Sequence, residues 1–260
     1  MSKKKTALRV ILIISIIIFL VAAIVLTVHL FPKVNEPILP EVSSSAPTSS
    51  IELVENPINF DEQKAKNHEI EAWLSVPETN INYPVLQSYT TKENFYIDHD
   101  VDGNSRAAGA IYIQKGNSKD FSDRVTVVYG HNMKNRTMFG SLKDFRFKEN
   151  FFEDNSKFYV YTPGHILTYE IYSAFVYDDR HILNSFDFSD DEQFSDFISQ
   201  TLNPKTMTKK VREGVKVDTD DKLVVLSTCT GIKTERYLVV GVLVDDQPTY
   251  WRKGRGAFLT

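Results

Sequence analysis

Residues 222–244, KLVVLSTCTGIKTERYLVVGVLV, form the stretch that decides the fold. Two apolar runs rich in β-branched residues, Leu223 to Leu226 and Tyr237 to Val244, flank a short polar turn, which predicts two core strands. Cys229 then ends the first strand and Arg236 opens the second. Because the chain returns like a hairpin, we expect the thiol and the guanidinium to lie at the same end of the sheet.

This arrangement suits a nucleophile beside a group that stabilises an anion. A cysteine also needs a base or a cationic partner, because the thiolate is the reactive form. His131 has the most informative setting of the six histidines: it follows the strand-like run Val125 to Tyr129 and the permissive Gly130. The sequence therefore predicts a site made of His131, Cys229 and Arg236.

A resemblance to a known family rests on these residues and on several others. The pattern resembles the sortases, and class B sortases in particular, over roughly Asn67 to Val244. The segments that carry the resemblance are Leu226-Ser227-Thr228-Cys229 with Arg236, Tyr129-Gly130-His131-Asn132-Met133, Met138-Phe139-Gly140-Ser141-Leu142, Asn94-Phe95-Tyr96-Ile97 with Asp100 and Gly103, and Gly109-Ala110-Ile111-Tyr112.

The resemblance implies a transpeptidase. Cys229 would attack the backbone carbonyl of a threonine in a short sorting motif of surface proteins and form a thioester. His131 would exchange protons with the amines, and Arg236 would hold the substrate or the oxyanion. The acceptor would be an amine of a peptidoglycan precursor or of a pilin, on the outer face of a Gram-positive cell. Substrate-binding residues would be Ser227, Thr228, Thr230 and Asn132, and neither a metal ion nor a cofactor is expected.

The first thirty residues predict a membrane anchor. Lys3, Lys4, Lys5 and Arg9 precede an uncharged run from Val10 to Val28, which is long enough to cross a bilayer as one helix. The basic flank predicts a cytoplasmic N-terminus and an exported remainder. We therefore expect a cytoplasmic tail at 1–9 and a transmembrane signal-anchor helix at 10–30; a cleaved signal peptide is the alternative.

Composition predicts how the exported part is organised. Residues 31–60 contain a tract rich in proline, serine and threonine, which is typical of a flexible stalk. Without the four basic residues of the N-terminus, 26 of the 30 Lys and Arg remain against 34 Asp and Glu, a net charge of −8 that argues against a nucleic-acid partner. We predict one catalytic domain at 61–246 and a C-terminal tail at 247–260.

Short strand patterns outnumber helical ones in that domain, which favours a mainly β fold: a closed or nearly closed barrel with appended helices. The resemblance adds that the barrel has eight strands. Gln63 to Trp73 predicts a helix, and Ser189 with Glu192 predicts the capping box of another, which carries an apolar face and ends before Pro204. The predicted strands are Ile81–Leu86, with Pro84 at an edge or bulge, Ala110–Gln114, Val125–Tyr129, Lys157–Thr162 and Ile166–Tyr177.

Other interpretations of the same residues stay open. A lone cysteine in an exported chain is either reactive or a small buried core residue. His99 between Asp98 and Asp100 suggests a metal site, but a solvated turn is the simpler explanation. For the whole chain, the alternatives are an exported cell-wall Cys/His hydrolase, in which the cysteine usually precedes the histidine, and a non-catalytic stalked surface adhesin.

Overall fold

The computed structural model describes residues 53–90 and 92–251. The helices of this part are α1 (Phe60–Lys66), α2 (Asp144–Phe147), α3 (Phe151–Asp154), α4 (Ile182–Ser185), α5 (Asp191–Leu202) and a short 3-10 helix at Phe95–Ile97. The strands are β1 (Val54–Glu55), β2 (Ile70–Val76), β3 (Ile81–Leu86), β4 (Ile111–Ile113), β5 (Val125–Tyr129), β6 (Lys157–Thr162), β7 (His165–Asp178), β8 (Lys209–Val211), β9 (Leu223–Cys229) and β10 (Glu235–Tyr250).

Eight of these strands close into a barrel. Their order is β10-β9-β5-β4-β3-β2-β6-β7, and pairing of β7 with β10 closes the ring. Outside the ring, β1 pairs with β10 and β8 pairs with β7. The seam between β7 and β10 is long, running from Glu235 opposite Asp178 to Pro248 opposite His165. The prediction of a closed eight-stranded, mainly β barrel with appended helices is confirmed.

Strand β9 is apolar from Leu223 to Leu226 because both of its faces are buried there. Val224 and Leu226 belong to the cluster inside the barrel, whereas Leu223 and Val225 pack on its outer face beneath α5. Since successive side chains of a strand point to opposite faces, a strand covered on both sides reads as a continuous apolar run. The residues at the C-terminal end of β9 therefore follow a strand segment that is packed on both faces.

The prediction of one helix from Gln63 to Trp73 is wrong: the helix ends at Lys66, and the second half of the segment is a strand. Helix α1 is capped by the Asn59 side chain, which accepts from the Glu62 amide, and it ends at Lys66. Strand β2 begins at Ile70, and its residues Ala72, Leu74 and Val76 alternate into the core. Burial with a period of two prevailed over the helical spacing of Ile70 and Trp73.

Two smaller predictions also change. The N-cap of α5 is Asp190 rather than Ser189, because the Asp190 carboxylate accepts from the amides of Glu192 and Gln193. Strand β3 is not an edge strand, since β2 and β4 flank it; its pairing with β4 starts only at Val85, so Pro84 lies beyond that ladder.

Within the described ranges, no helix is long and apolar enough to span a bilayer. The predicted tail at 1–9, the anchor at 10–30 and most of the stalk at 31–60 lie outside those ranges, as does most of the tail at 247–260.

Candidate active site

Parallel pairing of β5 with β9 brings two chain segments out of the barrel at the same edge. Their register places Tyr129 opposite Ser227, so Gly130 and His131 leave the sheet beside Thr228 and Cys229. Cys229 is the last residue of β9 and is exposed, which excludes the alternative that it is an ordinary core residue.

Three hydrogen bonds join the segment that follows β5 to the C-terminal end of β9. The Gly130 amide donates to the Ser227 carbonyl at 3.2 Å, and the Thr228 hydroxyl donates to the Gly130 carbonyl at 2.6 Å. The Asn132 side-chain amide donates to the carbonyl of Cys229 itself at 2.8 Å. The turn that carries His131 is therefore attached to the strand that carries the thiol on both sides of the imidazole.

The imidazole of His131 is held from a third direction. Its Nε2 lies 2.7 Å from the carbonyl oxygen of Ile97, which can only accept, so Nε2 carries a hydrogen and the neutral ring keeps its lone pair on Nδ1. Gly109 makes this position of the carbonyl possible: it has φ +57°, and a Cβ there would lie 2.5 Å from the carbonyl oxygens of Tyr96 and Ile97.

Arg236 faces Cys229 directly across the β9–β10 ladder, and Tyr177 of β7 faces Arg236 on the other side. Residues opposite each other in adjacent strands share one face of the sheet, so these three side chains form a row on the outer face of the barrel. Nη1 of Arg236 donates to the carbonyls of Lys233 and Glu235 at 3.0 and 2.9 Å. The guanidinium forms no ion pair within the described residues, which leaves its other donors available to a ligand.

A cavity of about 200 Å³ collects the predicted residues. His131, Cys229 and Arg236 line it together with Ser227 and Thr228. The other two predicted binding residues do not line the cavity. The Asn132 side-chain amide donates to the backbone carbonyl of Cys229, and the Thr230 hydroxyl donates to the Glu235 carboxylate at 3.1 Å.

Comparison with known proteins identifies the family of this chain. The family model "Sortase domain" matches residues 74–244. The chain belongs to the sortase family. Sortase B of Listeria monocytogenes is 31% identical over 169 residues, and sortase B of Staphylococcus aureus is 26% identical over 188 residues, which cover 71% of this chain and 74% of that protein. The match to the Listeria protein covers 63% of each chain, so it spans less than two thirds of that relative.

Solved structures agree with the sequence relatives. Clostridium perfringens sortase B superposes with a TM-score of 0.64 at 29% identity, over 72% of this chain and all of that one. A Staphylococcus aureus sortase B-substrate complex gives a TM-score of 0.62 at 26% identity, over 71% of this chain and 84% of that one. The predicted resemblance to class B sortases is confirmed.

The sortase cavity also has a wall that the sequence analysis did not assign. Asn94 and Ile97 form one side, and the chain between β7 and α4, including His181, forms another. Asn94 and Ile97 stood in a segment that carried the family resemblance, so that segment was the available signal. His181 had none, because a histidine in a polar connection is not distinctive.

Two tyrosines form the floor of the sortase cavity. Burial raises the pKa of Tyr112, and negative charge at Cys229 and Asp98 adds to the effect. Burial likewise raises the pKa of Tyr129, which stacks on Tyr112 with ring centroids 5.4 Å apart. Both phenols therefore stay protonated at neutral pH, and the Tyr112 hydroxyl donates to Asn94 Oδ1 at 3.2 Å.

His99 has a local structural role in this sortase. Its Nδ1 lies 2.7 Å from the Asp98 carboxylate, and its ring stacks on Phe95 at 3.9 Å. Across residues 53–90 and 92–251, no three His, Cys, Asp or Glu side chains are grouped as metal ligands.

Thr228→Val should loosen the turn that carries His131. Thr228 is 4% exposed, and valine keeps its shape while leaving the Gly130 carbonyl without its donor. We expect the free energy of unfolding to fall by about 1–3 kcal/mol and kcat to fall with it. Denaturant titration and peptide turnover would measure both effects. Thr208→Val is the matched control, because the Thr208 side chain is exposed; an equal loss in both variants would contradict the role of the hydrogen bond.

Proposed function

We propose that this sortase is a cysteine transpeptidase that cleaves a short sorting motif of surface proteins after a threonine and transfers the protein to an amine. The observation that carries the proposal is the convergence of His131, Cys229 and Arg236 on one cavity, at the ends of three adjacent barrel strands. The similarity to sortase B proteins supports the same reaction.

The first half of the reaction forms an acyl-enzyme. The Cys229 sulfur, as thiolate, attacks the backbone carbonyl carbon of the threonine, and the carbonyl oxygen becomes an oxyanion beside Arg236. When the tetrahedral intermediate collapses, the carbon–nitrogen bond breaks and protonated His131 gives its proton to the departing amine. A thioester and a neutral imidazole remain.

The second half reverses these steps with a new amine. The acceptor amine attacks the thioester carbon and loses a proton to His131, and the carbon–sulfur bond breaks to regenerate the thiolate. Attack by water instead would give hydrolysis. The exposure of Cys229 at the mouth of the cavity supports entry of an acceptor as large as a peptidoglycan precursor or a pilin.

A peptide library tests the reaction for any sorting motif that contains a threonine. The full chain is incubated with short peptides that carry a fixed threonine and randomised neighbours, and the mass of the intact protein is recorded. We expect adducts on Cys229 that correspond to peptides ending in threonine and that disappear when triglycine is added as an acceptor. Absence of any adduct, or release by water alone at an unchanged rate with triglycine, would contradict transpeptidation.

The cellular setting proposed for the enzyme rests on the sequence. The basic and apolar pattern of residues 1–30 supports a single-pass anchor with the catalytic domain outside the membrane of a Gram-positive cell. We expect a membrane-impermeant maleimide to label Cys229 in intact cells, because Cys229 is an exposed thiol and the chain's only cysteine. Labelling only after the cells are permeabilised would place the domain on the inner side.

A further inference from the structure

The Ile97 carbonyl, which accepts from the imidazole of His131, belongs to a long connection with little regular structure. This connection runs from residue 87 to residue 110, between β3 and β4, and its described part contains one short helix, the three-residue 3-10 helix at Phe95–Ile97. The Ile97 side chain is exposed, so it does not anchor its own backbone in the core. The position of the carbonyl therefore depends on what holds its neighbours.

Tyr96, which directly precedes Ile97, is held at its ring, its backbone and its hydroxyl. The ring is 1% exposed and belongs to an apolar cluster with Ile70, Leu86, Ala110 and Tyr112. The Tyr96 carbonyl accepts from the Ala110 amide at 2.9 Å. The hydroxyl donates to Oε2 of Glu69 and accepts from Nδ2 of Asn67 at 2.9 Å, so both functions of the phenol are used. Burial and the hydrogen bond to Glu69 raise the pKa of Tyr96, so the phenol keeps the proton that it donates.

Asn67 and Glu69 complete this network from the segment between α1 and β2. Oδ1 of Asn67 accepts from the Glu69 amide at 2.8 Å, and Nδ2 of Asn67 also donates to the Val101 carbonyl at 2.7 Å. The network therefore holds the connection at Tyr96 and at Val101, on either side of the Ile97 carbonyl.

The network is better suited to positioning than to stability. Glu69 is 8% exposed, and within residues 53–90 and 92–251 it forms no ion pair. Burying a carboxyl group without a cation costs free energy, and replacing buried hydrogen-bonding partners by apolar groups of the same shape is often neutral or stabilising. Hydrogen bonds, however, have a required geometry, so a closed network fixes the relative positions of its members.

We propose that Tyr96 is a positioning residue: its buried hydroxyl holds the neighbouring Ile97 carbonyl where that carbonyl receives Nε2–H of His131. This inference rests on the proposed function. With Nε2–H donated to Ile97, Nδ1 is the nitrogen left to exchange protons with the departing and the incoming amine. A displaced carbonyl would allow the hydrogen to move to Nδ1, and His131 would then present the wrong nitrogen to the amines.

Histidine NMR tests the positioning without any turnover. Full-length protein with isotope-labelled histidine is compared with its Tyr96→Phe variant, in which the ring is kept and only the hydroxyl is lost. Ring-nitrogen chemical shifts are recorded well above the pH range in which histidine titrates, and a His131→Gln sample assigns the signals. We expect the Nε2–H tautomer of His131 in the unmodified protein and a shift towards the Nδ1–H tautomer in the variant. An unchanged tautomer in Tyr96→Phe would overturn the proposal.

Tyr172→Phe is the matched control. Tyr172 is also buried, and its hydroxyl lies 2.7 Å from Oγ1 of Thr201, but it does not line the cavity that contains Cys229. On a threonine peptide that acylates Cys229, we expect Tyr96→Phe to lower kcat about tenfold with little change in KM, because proton transfer rather than binding is impaired. Tyr172→Phe should change neither kcat nor the tautomer. Equal losses in the two variants, or a rise in KM alone, would overturn the positioning role.

Asn67→Ala provides a second variant in case Tyr96→Phe does not fold. Asn67 is partly buried with an extended backbone, which alanine adopts readily, and its replacement removes the hydrogen bonds to Tyr96 and Val101. We expect the His131 tautomer to shift in the same direction, and its absence in a folded Asn67→Ala protein would also overturn the proposal. Because the NMR measurement does not depend on turnover, an inactive unmodified protein would contradict the proposed function, whereas an unchanged tautomer would contradict the role of Tyr96.

Discussion

Cys229→Ala is expected to abolish acyl-enzyme formation and peptide cleavage, with a loss on the order of 10⁴-fold or more, as when a nucleophile is removed from a catalytic unit. The reason is that alanine has no atom that can bond to the substrate carbonyl. Because Cys229 is exposed at the end of β9, the free energy of unfolding should change by less than about 0.5 kcal/mol. Intact-protein mass and peptide turnover measure the first effect, and a denaturation curve measures the second.

Cys229→Ser sharpens this test. Serine keeps the size and the hydrogen-bonding capacity of the side chain, but its hydroxyl does not ionise near neutral pH, so we expect it to be as inactive as alanine. Turnover by a folded Cys229→Ala protein would remove the thiol from the mechanism. Turnover by the serine variant but not by the alanine variant would show that a hydroxyl replaces the thiol as nucleophile, and the mass of the intact protein would then reveal an ester on the serine.

The parts of the site that the sequence could predict are those fixed by strand ends. Strand β5 spans the predicted run Val125–Tyr129 before Gly130, and strand β9 contains the apolar run from Leu223 to Leu226 and ends at Cys229, as predicted. Local pattern and tertiary burial agree there, because both faces of these strands are covered. The neighbourhood of His131 and Cys229 then follows from parallel pairing alone.

The parts that the sequence could not predict depend on contacts between distant segments. The Ile97 carbonyl reaches His131 only because Gly109 allows the backbone to approach closely, and the position of His181 depends on how the connection after β7 crosses the outer face. The region from Gln63 to Trp73 failed for a related reason: its apolar residues fit both periods, and only the barrel decides that β2 is extended. Patterns in one segment carry no information about such choices.

Arg236 distinguishes a sortase mechanism from that of a plain Cys/His hydrolase, and Arg236→Lys is the second change with a large expected effect. A guanidinium is always charged and presents several donors in a fixed plane, whereas an ammonium is a single point charge on a flexible stem. Nη1 of Arg236 is anchored on the carbonyls of Lys233 and Glu235, and Arg236 lines the cavity that contains Cys229. A lysine cannot satisfy two loop carbonyls and an oxyanion in the same geometry.

We therefore expect Arg236→Lys to lower kcat/KM by about 10²-fold to 10³-fold, the loss typical of removing one oxyanion donor. The competing explanation is a surface ion pair with Glu235 or another acid, worth at most about 1 kcal/mol to stability. The structure already weakens it, because Arg236 contacts the backbone carbonyl of Glu235 and not its carboxylate.

Turnover and the unfolding midpoint should be measured on one preparation of Arg236→Lys, with Arg106→Lys as the matched control. Arg106 is exposed and lies 3.6 Å from Asp100, outside the cavity that holds Cys229, so its conversion to lysine should change neither quantity. Near-normal turnover by Arg236→Lys would refute its catalytic role. Lost turnover at an unchanged midpoint, with the control intact, would exclude the ion-pair explanation and leave the guanidinium acting on the reacting carbonyl.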